Sequence, residues 1–290
     1  MVLALLLAAL CAPSQSAPSS LSPNAKEILG PAFTRAAKDP AGVVPLLIQA
    51  SWLLDGSPGE RDAPKLSAEE ARELSDTLEP FCRRAFFGPE RLPAMQKIGL
   101  LTHTVRAGEV GERIAKRYKM GTGMLARLNE GFEPTKLREG QELKVLDLTD
   151  DRLEVTVSKG LYRLAAWRRL EGGRRALVQY VPVGLGAADT PTPEGKTSIT
   201  SRVRDPEWTD PVTKEVFKPG DPKNVLGGFW IALDPEGIGK SGIGLHGFTG
   251  EAAANWIEQP ASHGCVRMLQ ADIDRFFDLA IEGTPVAIRP

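Results

Sequence analysis

Three histidines occur in the chain, and two of them, His246 and His263, lie within 20 residues of Cys265 in a glycine-rich stretch. A cysteine thiol, with an ordinary pKa near ~8.5, is mostly protonated at neutral pH. It becomes a nucleophile when a neighbouring imidazole or a helix N-terminus favours the thiolate. Gly247 and Gly264 let backbone approach a substrate closely, and the successive amides of His263, Gly264 and Cys265 could converge on one oxyanion. This pattern points to a cysteine nucleophile. A rival reading makes His246, His263 and Cys265 three ligands of a catalytic zinc. The two-residue spacing of His263 and Cys265 is unusual for that, and no acidic residue adjoins His246. A third reading, a core histidine with a buried cysteine, fits poorly with a polar, loop-forming Ser262-His263-Gly264. Cys82 has a different context, the helix-like apolar pattern Phe81-Cys82-Arg83-Arg84-Ala85-Phe86-Phe87, and reads as a core thiol. A single disulfide between Cys82 and Cys265 is the alternative in an exported chain.

The elements that must position these residues follow from composition and pattern. The 290 residues suggest about two domains at a prior of ~150 residues each, and 42% hydrophobic content is ample for packed cores. Lys plus Arg number 36 against 37 Asp plus Glu, a net charge of −1, so no basic field exists to hold nucleic acid or an anionic membrane. Gly 29 and Pro 23 favour turns and short strands over an all-helical fold.

Around the candidate nucleophile the chain reads as strands: 153–157 and 162–166 by alternation, 176–183, 196–204, 229–233, 243–246 and 284–289. One helix is expected, where Ile273, Phe276, Phe277, Ala280 and Ile281 share a face and Gly283 stops it. Trp208 lies in a long Pro-rich loop and serves either as a lid residue or as an anchoring aromatic. Upstream, residues 103–146 read strand (103–106), helix (Ile114, Ala115, Tyr118), helix (Met124, Leu125, Leu128), strand (142–146). Gly111 is a weak start for the first helix. Residues 24–100 read as two or three short helices, with Asn24 and Ser67 as N-caps, Glu27 and Glu70 completing their capping boxes, and a breaker at Asp55–Gly59. A spacer or docking role is expected of them.

The eleven apolar residues Val2–Ala12 are too few to span a bilayer and fit the core of a secretory signal, with Ser14 and Ser16 placed for cleavage before Ala17. Lipidation at Cys11 is disfavoured by Leu10. No other segment approaches ~18 uninterrupted apolar residues, so no membrane span is expected.

Two resemblances sharpen these expectations. HTVRAGEVGERIAKRYKMGTGMLARLNEGFEPTKLREGQELKVL resembles the LysM module through Leu128-Asn129, Pro134, Leu137 and Gly140-Gln141. This implies a βααβ fold that binds peptidoglycan glycan; a folded, non-binding spacer is the alternative. HGFTGEAAANWIEQPASHGCVRM resembles the signature of the YkuD-type L,D-transpeptidases, with fifteen residues, 247 to 261, between His246 and Ser262, and Thr190–Gly195 resembles that family's Thr-Pro turn. The resemblance implies Cys265 as nucleophile and His246 as general base. It makes Ser262, His263, Gly264 and Gly247 the residues that shape the site and its oxyanion hole. Arg267 would meet a stem-peptide carboxylate, with an ion pair to Asp272 or Asp274 as its alternative, and Trp208 would belong to the substrate lid. No metal or organic cofactor is implied.

The organisation expected is therefore a leader and linker (1–23), a helical region (24–100), a small α+β LysM-like module (102–147) and a mainly-β catalytic domain (151–290). That last domain should be a β-sandwich or barrel with one covering helix. The expected protein is an exported monomer of the periplasm or cell wall, without nucleic-acid partners, that forms 3–3 cross-links in peptidoglycan. L,D-carboxypeptidase trimming and non-catalytic wall binding are the alternatives.

Overall fold

The computed structural model describes residues 17, 19–55, 66–150, 152–250 and 255–290. The expected leader, with Cys11, Ser14 and Ser16, and most of the 55–59 breaker lie outside the described residues.

Three helices come first: α1 (Pro23–Lys38), α2 (Val43–Asp55) and α3 (Ala68–Phe86). α1 is capped by Ser22, whose hydroxyl accepts from the Ala25 amide, not by Asn24. Pro23 occupies the first helical position with φ already preset, which moves the start ahead of Asn24. α3 has the expected capping box: Glu70 N–H donates to Ser67 Oγ at 3.2 Å and the Ser67 amide donates to Glu70 Oε2 at 2.7 Å. The segment before α1 is tied to α3 as well, the Ser19 and Ser20 amides each donating to Glu73 at 2.8 Å.

The helical region is no detached spacer. Ser51 Oγ donates to the Arg175 carbonyl at 3.0 Å and Ser75 Oγ to the Tyr180 carbonyl at 2.7 Å, fixing α2 and α3 against β5 (Arg175–Gly186). β5 is therefore buried along nearly its whole length on both faces.

The LysM region forms β1 (Leu100–Thr104), α4 (Gly111–Arg117), α5 (Thr122–Leu128) and β2 (Glu142–Leu146), with β1 and β2 antiparallel. β1 lies three residues earlier than the sequence suggests, because its register is set by β2 pairing: Leu100 faces Leu146 and Thr104 faces Glu142. Gly111 begins α4 because the chain crowds there. A Cβ on it would sit 2.6 Å from the Phe132 ring and 3.0 Å from Pro134 Cα.

Asn129 clasps α5 to β2, its amide donating to the Leu125 and Lys144 carbonyls and its Oδ1 accepting from the Lys144 amide, all at 2.8 Å. Lys144 is itself buried, and its ammonium donates to the carbonyls of Ala85, Gly88 and Glu90 at 2.7–2.8 Å. It thus caps the C-terminal end of α3 from the LysM side, the favourable end for a cation. Burial pulls its pKa down to about 8.

The remaining strands are β3 (Leu153–Ser158), β4 (Arg163–Arg169), β6 (Gly195–Arg204), β7 (Trp208–Thr209), β8 (Val216–Phe217), β9 (Phe229–Leu233), β10 (Gly244–His246), β11 (Pro260–Ser262), β12 (Val266–Met268) and β13 (Pro285–Arg289), with α6 (Gln270–Leu279) before the last. Nine of them, β5 included, form one sheet in the order β11-β5-β12-β10-β9-β6-β13-β3-β4, and the β4–β5 pairing closes it into a barrel. Among the described residues α6 is the one α-helix within 151–290, as expected, packing on the barrel through Gln179 Nε2 donating to the Asp272 carbonyl, and α2 and α3 of the helical region cover the domain as well. Arg127 of α5 joins α6 through Asp274 at 2.5 Å and Asp278 at 2.9 Å, so the LysM module touches both the helical region and the barrel.

Candidate active site

The site grows from two short neighbouring strands. β10 and β12 run parallel, with Leu245 beside Val266 and His246 beside Arg267, which places Cys265 just before β12. On its other side β10 pairs with β9, and Trp230 stands opposite His246 with ring centres 5.9 Å apart. Here a cavity of about 710 Å³ opens, lined among others by His246, Cys265, Arg267, Ser262, His263 and Trp208. Six of the eight residues singled out from the sequence thus share one wall, and the remaining two, Gly247 and Gly264, are their chain neighbours.

His246 is 5% exposed. Its Nδ1 sits against the carbonyl of Gly247, which can only accept, so Nδ1 carries the proton and Nε2 carries the lone pair. Burial pushes its pKa down to about 4, the adjacent Arg267 charge adding to the shift and the Gly247 carbonyl opposing it. The imidazole is neutral at pH 7, as a base must be.

Cys265 is half-buried and free, as is buried Cys82; no disulfide joins them. Burial raises the Cys265 pKa, while the Gly244 amide and the charges of Arg267 and Lys240 pull it back. In this resting arrangement the thiol faces the Gly242 carbonyl at 3.5 Å, not the imidazole. Catalytic hydrogen bonds commonly tighten only when substrate arrives.

The loop carrying the sulfur is pinned by Ser262, whose hydroxyl donates to the Cys265 carbonyl at 2.6 Å and accepts from the Gly264 amide at 3.1 Å. The Gly264 amide is therefore occupied, leaving those of His263 and Cys265 as candidate oxyanion donors. Gly264 itself has φ +117, and a Cβ there would lie 2.9 Å from Ile243 Cδ1 and 3.0 Å from Lys240 Nζ. Gly247 is equally confined, its Cβ position 2.6 Å from Gln270 Oε1. His263 is exposed at the cavity rim.

Arg267 makes no ion pair with Asp272 or Asp274. Asp272 binds Arg275 at 2.5 Å and Asp274 binds Arg127. The Arg267 guanidinium instead stacks on Phe248, its Cζ 3.8 Å from the ring centre, with Nε buried and unpartnered among the described residues. Trp208 lies on a two-stranded hairpin, β7–β8, stacked on Phe217 at 5.4 Å, so it both anchors that flap and lines the cavity. Among the described residues no group of three or more His, Cys, Asp or Glu is gathered as metal ligands would be.

Sequence reasoning passed over Trp230, Phe248 and Lys240. Phe248 was legible, since it stands two residues after His246 and side chains two apart in extended chain share a face. Trp230 and Lys240 join the site only through strand pairing and a turn between distant segments.

Two regions of the chain are similar to known proteins. Residues 152–288 match the model of the YkuD family, the L,D-transpeptidase catalytic domain, and residues 103–146 match that of the LysM domain. Two Bacillus subtilis proteins named as L,D-transpeptidases are similar: YqjB at 32% identity over 37% of this chain and 56% of its own length, and YkuD at 27% over 65% of this chain and 99% of its own. The chain thus spans little more than half of YqjB. A crystal structure of an L,D-transpeptidase from Mycobacterium tuberculosis H37Rv overlays on 48% of this chain and 58% of its own, at 16% identity and a TM-score of 0.35. By these matches residues 152–288 form a YkuD-type L,D-transpeptidase catalytic domain, and residues 103–146 form a LysM domain.

Proposed function

We propose that the protein is a peptidoglycan L,D-transpeptidase acting through Cys265. His246 Nε2 takes the thiol proton and Sγ attacks the carbonyl of the third, L-centred residue of a tetrapeptide stem. The oxyanion so formed faces the His263 and Cys265 amides. The C–N bond breaks, the imidazolium returns its proton to the leaving D-Ala amine, and a thioester remains. An amine from a second stem then gives its proton to His246, attacks the thioester and restores the thiol, leaving a 3–3 cross-link. Water in place of the amine gives L,D-carboxypeptidase trimming. Arg267, held flat on Phe248, receives a stem carboxylate. The LysM domain raises the local concentration of polymeric substrate. Such work places the protein outside the cytoplasm, in the periplasm or cell wall, as a monomer that needs no cofactor. No helix among the described residues is long and apolar enough to cross a membrane.

One observation supports this reading most: a neutral imidazole, a thiol and a guanidinium without an ion-pair partner among the described residues line one cavity. Carbapenem treatment tests it. Intact mass should rise by one adduct in the native protein and stay unchanged in Cys265→Ala. An inert native protein that still binds cell-wall glycan would instead favour a non-catalytic wall-binding role.

A further inference from the structure

Arg267 is not the only cation at the nucleophile. Lys240 lies on the turn between β9 and β10, lines the same cavity, and places Nζ 3.4 Å from the His263 carbonyl. It enters no ion pair with any described residue, and a neutral carbonyl leaves most of an ammonium's charge uncompensated. The two cations bracket the sulfur along the chain. Lys240 meets the residues just before Cys265, where it lies 3.0 Å from the Cβ position of Gly264, and Arg267 stands two residues after it. Of the described carboxylates, only Glu207 shares the cavity wall.

We propose that Lys240 is a specificity-determining residue that binds a second carboxylate of the acyl donor, so that the cavity selects a peptide bearing two carboxylates: one on the terminal residue for Arg267, another on the side chain of the acylated diamino acid for Lys240. The assignment rests on the transpeptidase reading and adds to it the charge state of the donor. A donor whose side-chain carboxylate is amidated keeps its shape and loses this contact. A charge-assisted contact at a partly exposed site is worth about tenfold in affinity.

The test measures binding rather than turnover, so that it is independent of whether the thiol reacts. In a Cys265→Ala background, calorimetry compares a tetrapeptide ending in a diamino acid and D-Ala, with its side-chain carboxylate free, against the same peptide amidated. The free acid should bind roughly tenfold more tightly. Lys240→Met should bring the ratio near one, and Lys240→Arg should restore most of it. Equal binding of the two peptides to the parent, or a preference that survives in Lys240→Met, overturns the assignment. Failure of the transpeptidase reading would show separately, as absence of any acyl adduct on the native protein with the preference intact.

Discussion

Two histidines in this chain are buried to the same degree, 5% exposed, yet they stand in opposite situations. His103, in the LysM domain, has both ring nitrogens engaged: Nδ1 with Tyr118 Oη at 3.1 Å and Nε2 with Glu109 Oε2 at 2.9 Å. Glu109 is held in turn by the Arg106 amide and by Arg117, and its pKa falls to about 2, the Arg106 amide and then His103 being the main causes. His246 has one nitrogen fixed by the Gly247 carbonyl and the other, on a cavity wall, without a hydrogen bond among the described residues. Burial alone therefore does not mark a catalytic histidine. An imidazole with both nitrogens bonded locks a fold, whereas one with a single oriented nitrogen left over can move a proton.

The sharpest way to break this contrast is to remove the sulfur that His246 is proposed to serve. Cys265→Ala should abolish carbapenem acylation, a loss of more than ~10³-fold, read by intact mass. Next, His246→Gln should slow acylation of Cys265 by ~10²–10⁴-fold with little change in melting temperature. His103→Gln should do the reverse, leaving acylation within about threefold while costing ~1–3 kcal/mol of stability, since it leaves Glu109 and Tyr118 underpartnered. If the two variants behaved alike, the distinction drawn here would be wrong.

Acid sharpens the same comparison. With a folded pKa near 4 against an ordinary 6.5, His246 binds a proton more readily in the unfolded chain. Its contribution is complete above pH 6.5 and disappears as pH falls to 4, an effect of up to about 3 kcal/mol. Glu109, depressed from 4.5 to about 2, keeps its contribution until pH drops through that lower window. Burial raises Glu79 to about 7, which acts in the opposite sense over the same range in both proteins, so urea unfolding should show the native protein losing more stability than His246→Gln between pH 6.5 and 4. An equal change in the variant would refute the assigned shift.

The smallest effect concerns the cation that fastens the LysM side. Lys144→Met leaves three carbonyls at the end of α3 without their donor and should lower stability by ~1–2 kcal/mol, a fall of a few degrees in melting temperature, with carbapenem acylation retained.

The candidate site was legible in the sequence because it depends on residue type and close spacing. His246, Ser262, His263 and Cys265 lie within 20 residues, and strand pairing needed only to lay β10 beside β12. Helix starts were legible where side chains close a local circuit, as at Ser67 and Glu70, and misplaced where a proline overrides the polar candidate, as at Pro23. What escaped were long-range partnerships. Nothing near Lys144 indicates that its ammonium ends on α3, nothing near Ser75 indicates β5, and the freedom of Arg267 depends on Arg275 and Arg127 having taken the nearby aspartates. Strand register likewise decided where β1 begins.

The central claim is best tested by incubating the native protein with a stem tetrapeptide ending in D-Ala and recording its intact mass before any acceptor is added. The account predicts one added mass equal to the peptide less D-Ala, localised to Cys265. A protein whose Cys265 is alkylated by iodoacetamide yet gains no such mass from the peptide would contradict it.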